Sequence, residues 1–207
     1  MVYSVVIAVL VSYLLGNLNG AVCMSALMRD DVRTHGSGNA GLTNFIRNYG
    51  AGRAVYVVLI DAGKAFLACL ASGLLLKPYG YGLEGVMVGG MAVMLGHDFP
   101  ALLGFKGGKG ILSGLFIALA ADWRIALLIL GLFLIAYFAT KYVSLGSVLG
   151  CIGFGAGFAI WHHDNLLVMI LGILMAALAL FMHRENILRL LKGQERKTEL
   201  FKRGQKK

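Results

Sequence analysis

Seven apolar runs constrain what this chain can fold into more than any other feature: residues 2–28, 55–76, 85–103, 111–121, 125–140, 143–161 and 166–182. Most reach the roughly 17 to 25 residues that a helix needs to cross a bilayer. Of the 207 residues, 58% are hydrophobic and 14% charged, against roughly 25% charged in a soluble domain. The expected fold is all-α: a polytopic membrane protein with seven transmembrane helices in one domain, 1–195, followed by a basic tail, 196–207. The first run is not expected to be a cleaved signal. No basic residue precedes Arg29, and the run outlasts the roughly 7 to 15 apolar residues of such peptides.

The basic residues set the expected orientation. With the N-terminus outside, inner segments hold Arg29, Arg33, Arg47, Arg53, Lys106, Lys109, Lys141 and nine more from Arg184 onward; outer loops hold Lys77 and Arg124. That bias predicts an outside N-terminus and a cytoplasmic C-terminus. The net charge of +9 is then an inner-face property that attracts anionic lipid head groups rather than nucleic acid. Cys23, Cys69 and Cys151 each lie inside an apolar run without CxxC spacing, so they read as small buried hydrophobes, not as a disulfide framework or a metal site. The 29 glycines are about twice the usual frequency of ~7%. Pairs such as Gly85 and Gly89, Gly146 and Gly150, or Gly153 and Gly157 put small residues on one helix face, where backbones can approach closely.

Two stretches are dense in donors. Residues 96–110 read GHDFPALLGFKGGKG. In Lys106-Gly107-Gly108-Lys109-Gly110 the glycines let backbone N–H groups approach an anion, the lysines supply mobile charge, and the run from Ile111 places a helix N-terminus beyond the loop. For that pentapeptide alone, a flexible basic turn is the plain alternative. Residues 36–44 read GSGNAGLTN, with Arg47 following. The GxGxxG match, with Asp61 twenty residues past Gly41, is a decoy, because the dinucleotide fingerprint needs a preceding strand and a spanning helix precedes this one. Hydroxyls of Ser37 and Thr43, amides of Asn39 and Asn44, and Arg47 describe an anion site better. A short helix from Thr43 through Tyr49, ended by Gly50, brings Arg47 onto the face of Thr43 and Asn44.

Elsewhere the polar residues are sparse. Asn17 and Asn19, flanked by Gly16 and Gly20, are expected to face the bundle interior and to brace the neighbouring loop. Asp61 and Lys64, three apart on one helical face, suit a structural ion pair as well as a catalytic one. His97, Asp98 and Pro100 interrupt the third run and the fourth has only 11 residues, so neither is expected to span comfortably and the glycine loop between them is expected to sit sunk into the inner leaflet. His97 can orient a phosphate, relay a proton or serve structure alone. His162, His163 and Asp164 read as exposed turn residues. His183 and Asn186 share a face if the seventh helix continues through them.

In order, spacing and membrane context, GSGNAGLTN with Arg47, GHDFPALLGFKGGKG and HRENILRLLKGQE resemble the bacterial acyl-phosphate-dependent glycerol-3-phosphate acyltransferase family, often called PlsY. The similarity runs through Glu195. It implies a seven-helix enzyme of the bacterial cytoplasmic membrane, working on the cytoplasmic side, that moves an acyl group from acyl phosphate to the sn-1 hydroxyl of glycerol 3-phosphate. The products are lysophosphatidic acid and phosphate, in phospholipid biosynthesis. By the resemblance, Ser37, Arg47, Lys109, His183 and Asn186 surround glycerol 3-phosphate, with Ser37, Arg47 and Lys109 in the catalytic set. Lys106, Gly107, Gly108, Lys109 and Gly110, with Asn39 and Thr43, hold the acyl phosphate, and Asn44 and His97 support. The chain departs from the family at Gly16 to Gly20, where Gly-Asn-Leu-Asn-Gly replaces a proline-containing turn; this bears on the bend of the first helix, not on the chemistry.

An acyl phosphate is an activated anhydride, so a hydroxyl needs orientation and charge stabilisation more than an enzymic nucleophile. No histidine is followed five residues later by aspartate and no serine or cysteine sits in a GxSxG elbow. Direct transfer is expected, with a substrate phosphate accepting the proton. No cofactor and no metal is expected, since carboxylates near the motifs are few; the partners are the two substrates and membrane lipid, without nucleic acid. The alternative is a transporter or channel for an anionic phosphorylated solute, for which an internal repeat is expected and none is found.

Overall fold

The structure is a computed structural model and describes residues 1–198; residues 199–207 of the expected basic tail lie outside the described residues. Every regular element among those described is helical. The order is α1 (Val2–Gly16), α2 (Gly20–Leu27), α3 (Leu42–Tyr49), α4 (Ala51–Leu76), α5 (Gly82–Asp98), α6 (Ile111–Ala121), α7 (Trp123–Thr140), α8 (Val143–Trp161), α9 (Leu166–Met182) and α10 (Arg184–Leu191). Short 3-10 turns stand at Val32–Thr34, Lys77–Tyr79 and Ala101–Leu103.

Four segments are long and apolar enough to cross a bilayer: Ala51–Tyr79, Gly82–Leu103, Trp123–Thr140 and Val143–Trp161. Counting the bent pairs α1–α2 and α9–α10 as one segment each gives six. The seven expected crossings therefore become, by length, at most six and one short helix, α6, of 11 residues. The third run was expected to fall short, yet it reaches 22 residues, because α5 starts at Gly82 and helical turns resume after Pro100.

The first run is broken between Gly16 and Gly20, where the chain turns by 42°. No proline is involved. Asn19 caps α2 by accepting from the Val22 N–H at 3.0 Å, while its amide donates to the Ala40 carbonyl at 2.9 Å. Asn17 donates to the Tyr13 carbonyl at 2.7 Å and accepts from the Leu102 N–H at 3.0 Å. Both amides are buried and act as braces, which satisfies the cost of placing them in apolar surroundings.

The helices pack by small residues inside and large ones outside. Leu10, Leu59, Leu74, Ile135 and Leu174 point outward and are exposed, as expected of faces turned to lipid. Inside, α4 packs on α5, α1 and α6, and α7 and α9 flank α8. At the α1–α5 crossing a Cβ on Gly96 would stand 3.0 Å from the Gly16 Cα, so the two backbones touch and glycine is required on both. Ser12 and Ser72 share a buried hydrogen bond of 3.1 Å between α1 and α4, a class of contact worth ~0.6 kcal/mol in a membrane bundle.

Two readings of the sequence change at the helix ends. α9 stops at His183 and α10 leaves at 59°, so His183 and Asn186 do not ride on one continuing helix. His162, expected to be a solvated turn residue, is half-buried and bonds Asp122 through Nε2 at 3.1 Å. Asp122 also caps α7 and pairs with Arg124 at 2.6 Å; Arg124 first, and His162 after it, hold that carboxyl down to about 2. His163 and Asp164 are exposed.

Candidate active site

Asn44 organises the first donor-rich stretch. It is 2% exposed and sits in the first turn of α3, the helix that Gly50 ends with φ 83°. Its Oδ1 accepts from the Ser37 N–H at 3.0 Å, and its Nδ2 faces the carbonyls of Val32, His35 and Asn39 at 3.0, 3.0 and 3.1 Å. One side chain thus fastens the glycine turn to the helix, leaving the Ser37 hydroxyl and the Asn39 and Thr43 side chains free of that duty. Gly36 and Gly38 have φ of 61° and 71°, a region glycine enters without strain.

The second stretch is tied to the first. Arg33, held by Asp31 at 2.8 Å, donates to the Leu103 carbonyl at 3.0 Å. Tyr13 donates to the Phe99 carbonyl at 2.9 Å. Gly110, with φ 70°, ends the glycine-lysine loop and is the N-cap of α6. Within the loop the Gly108 N–H donates to the His97 carbonyl at 3.0 Å, and a Cβ on Gly108 would collide with the His97 ring. Gly107 lies on Pro100 and the Asp98 carbonyl, and Lys106 is exposed.

The third stretch closes the site. His183 Nδ1 donates to the Ala179 carbonyl at 2.8 Å; a carbonyl only accepts, so in the neutral ring the proton is on Nδ1 and the lone pair on Nε2. Lys109 Nζ donates to Asn186 Oδ1. The Asn186 amide donates to Ser144 Oγ at 2.9 Å, Ser144 donates to Glu195 Oε1 at 2.9 Å, and Arg189 Nε donates to Glu195 Oε2 at 2.9 Å. Past Glu195 the chain folds back over α3: the Thr198 N–H donates to the Lys141 carbonyl at 3.0 Å, and Arg47 donates to the Thr198 hydroxyl.

These residues meet around one cavity of about 440 Å³. Its polar end is lined by Ser37, Asn39, Thr43, Asn44, Arg47, His97, Lys109, Gly110, His183 and Asn186. Its apolar end runs between helices past Leu115, Ile129, Phe133, Phe154 and Met175. Of the residues singled out in the sequence, Lys106, Gly107 and Gly108 are not on the wall; the two glycines underlie it, packed on residues 97–100. Burial, and after it the nearby Arg189, holds the Lys109 ammonium below the ordinary lysine range. Burial likewise lowers Arg47. Cations kept partly dry in this way bind an anion more strongly than solvated ones.

Sequence reasoning missed Ser144, Arg189, Glu195 and Thr198. Glu195 was visible as the one carboxylate in 186–198, amid basic residues, and such an isolated charge is a signal for pairing. Ser144 and Thr198 carried no signal, since their role comes from a chain reversal that periodicity does not report. The cavity as a whole suits a molecule with an anionic head and a long apolar tail, together with a second, smaller anion.

The profile of the family described as "Glycerol-3-phosphate acyltransferase" matches residues 6–193. A glycerol-3-phosphate acyltransferase of Finegoldia magna is 41% identical over 189 residues, covering 91% of this chain and 93% of the relative. One of Clostridioides difficile is 39% identical over 210 residues, covering 100% and 98%. Among solved structures, PlsY, an integral membrane glycerol 3-phosphate acyltransferase, in its glycerol 3-phosphate form, superposes with a TM-score of 0.86 at 32% identity. The match covers 96% of this chain and 100% of that one. Its lysophosphatidic acid form gives 0.82 at 32%, covering 95% and 96%.

Proposed function

Since the chain belongs to the glycerol-3-phosphate acyltransferase family, we propose that it moves an acyl group from acyl phosphate to the sn-1 hydroxyl of glycerol 3-phosphate. The products are 1-acyl-glycerol 3-phosphate and phosphate, in membrane phospholipid synthesis. The observation that carries this reading is a cavity whose cationic, donor-rich end continues into an apolar slot between helices. The bound form of PlsY with glycerol 3-phosphate and that with lysophosphatidic acid name a reactant and a product of that transfer. The chain crosses a bacterial cytoplasmic membrane seven times, α6 included, with the N-terminus outside and the site facing the cytoplasm. Residues 1–195 form the membrane domain and 196–207 the basic tail.

Arg47 and Lys109, with Ser37 and Asn186, hold the phosphate of glycerol 3-phosphate. Lys109 and Gly110, at the end of the loop that Gly107 and Gly108 pack against residues 97–100, hold the acyl phosphate with Asn39 and Thr43, and its chain lies in the apolar slot. His183 presents the Nε2 lone pair to the sn-2 hydroxyl and so orients the glycerol, leaving the sn-1 hydroxyl as the one that reacts. The hydroxyl oxygen attacks the acyl carbon, the bond from that carbon to the phosphate oxygen breaks, and phosphate leaves with the pair of electrons. The hydroxyl proton passes to a phosphate oxygen. No side chain becomes acylated; Lys109 and Arg47 stabilise the charge that gathers on the oxygens, a contribution of roughly 3 to 4 kcal/mol for one such donor.

Purified protein incubated with acyl phosphate and glycerol 3-phosphate is expected to release phosphate and form the acylated product only when both are present, with acyl-CoA inert as donor. Release from acyl phosphate alone at the same rate, or transfer from acyl-CoA, contradicts the reading.

A further inference from the structure

A buried cluster stands at the cavity wall, to which Asp61 and His97 contribute while Lys64 lies behind them. Lys64 on α4 is 5% exposed. Its Nζ lies 2.9 Å from Asp61 Oδ1, 3.1 Å from the Gly16 carbonyl and 2.8 Å from His97 Nδ1, and it donates to the Leu18 carbonyl. Asp61 is anchored in turn, because its Oδ1 accepts from the Gly20 N–H at 3.0 Å. Three of the four neighbours of Nζ are oxygens that only accept, one of them a carboxylate, so the nitrogen is an ammonium whose three N–H groups are shared among four neighbours. A proton on His97 Nδ1 would point at that donor 2.8 Å away, and the Asp61 Oδ1, at 3.7 Å, is too far to accept it. Nδ1 therefore carries the lone pair, and the proton of the neutral ring is on Nε2.

That second nitrogen has nothing to do within the fold. His97 Nε2 has no hydrogen-bond partner among the described residues. It lies against Gly108, in the space that a side chain there would fill, and His97 lines the cavity next to Lys109 and Gly110. The ring is gripped on one side by an ion pair and offers a bare N–H on the other, beside the loop.

We propose that Asp61 and Lys64 are positioning residues that fix His97 with its proton on Nε2, and that this N–H donates to the phosphate of the acyl donor; the second clause rests on the function proposed above. The arrangement parallels metal-free orienting shells in which one ring nitrogen is held so that the other has a defined role. His183 is its complement: Nδ1 is engaged and Nε2 accepts, so the two cavity histidines present opposite hydrogen-bonding characters to the two substrates.

The test begins with the wild-type chain in nanodiscs, labelled with 15N at histidine. At neutral pH His97, assigned by loss of its signals in His97→Gln, is expected to show an unprotonated Nδ1 and a protonated Nε2. Adding a non-transferable long-chain acylphosphonate should shift the Nε2 signal. A proton on Nδ1, a doubly protonated ring, or an Nε2 signal indifferent to the acylphosphonate overturns the proposal. Kinetics supply the second arm. Lys64→Met is expected to lower kcat by ~10-fold or more with KM for glycerol 3-phosphate nearly unchanged, and Lys64→Gln, still able to donate to Nδ1, to recover part of it. His97→Gln keeps a donor near the Nε2 position, and placing Lys64→Met on that background should add less than ~3-fold, because residues that act through one another are not additive. Effects that multiply overturn the proposal. If Lys64→Met does not fold, the wild-type spectra decide alone. If the wild type lacks transferase activity while the tautomer and the acylphosphonate shift are found, the proposed function falls and the positioning of His97 stands.

Discussion

At the scale of single residues, charge placement decides what the site can do. Lys109 is reached by Asn186 and kept partly from water, so it is both oriented and poorly solvated. Lys109→Ala is expected to lower kcat by ~10²-fold or more, as for loss of one charge-stabilising donor; unchanged turnover would remove this lysine from the site. The sign of its pH dependence follows from burial, which lowers its pKa. The neutral form is reached at a lower pH than for a solvated lysine, and only the charged form attracts phosphate. Plotted against pH, kcat/KM should therefore fall on the alkaline side earlier than ordinary lysine titration dictates. In Lys109→Arg the fall should move to higher pH, because guanidinium keeps its charge. A profile that does not move in that variant contradicts the assignment. Asn44 shows the limit of reading residues by type. An amide in a glycine-rich turn was expected to support the site, but sequence could not say that it would be spent on four backbone groups of its own loop.

At the scale of elements, much of the fold was legible. Apolar runs gave the long helices, and Gly50 marked the end of α3 one residue beyond Tyr49. What stayed hidden were breaks with no breaker residue. The first run parts at Asn17 to Asn19 because amides there cap and brace, and the last parts at His183 because its ring bonds back to Ala179. The pairing of His162 with Asp122 and the return of Glu195 and Thr198 join positions far apart in sequence, which no local pattern encodes. The glycine spacing was legible as a packing device, and it carries a stability prediction. In Gly96→Ala the added Cβ would press on the α1 backbone at Tyr13 and Gly16, so thermal unfolding in detergent should show a loss of ~1 to 3 kcal/mol, the usual cost of overpacking. Gly63→Ala, with open space around it, should show none. Equal effects in the two variants would mean that the α1–α5 contact is not tight.

At the scale of the whole molecule, the bundle turns an apolar exterior to lipid and gathers the side chains of three separate polar stretches around one cavity. α4 and α5 hold the buried cluster that grips His97, α6 to α9 form the apolar slot, and α3, the glycine loop and α10 close the polar end. On the proposed function, this division would let one chain collect a lipid-soluble donor and a water-soluble acceptor and leave them in contact. The central claim is that the two react with each other directly. Intact-protein mass spectrometry of the enzyme, quenched during turnover and after exposure to acyl phosphate without glycerol 3-phosphate, tests it most directly. The account predicts an unmodified mass under both conditions; a population heavier by one acyl group, formed and consumed fast enough to match turnover, would contradict it.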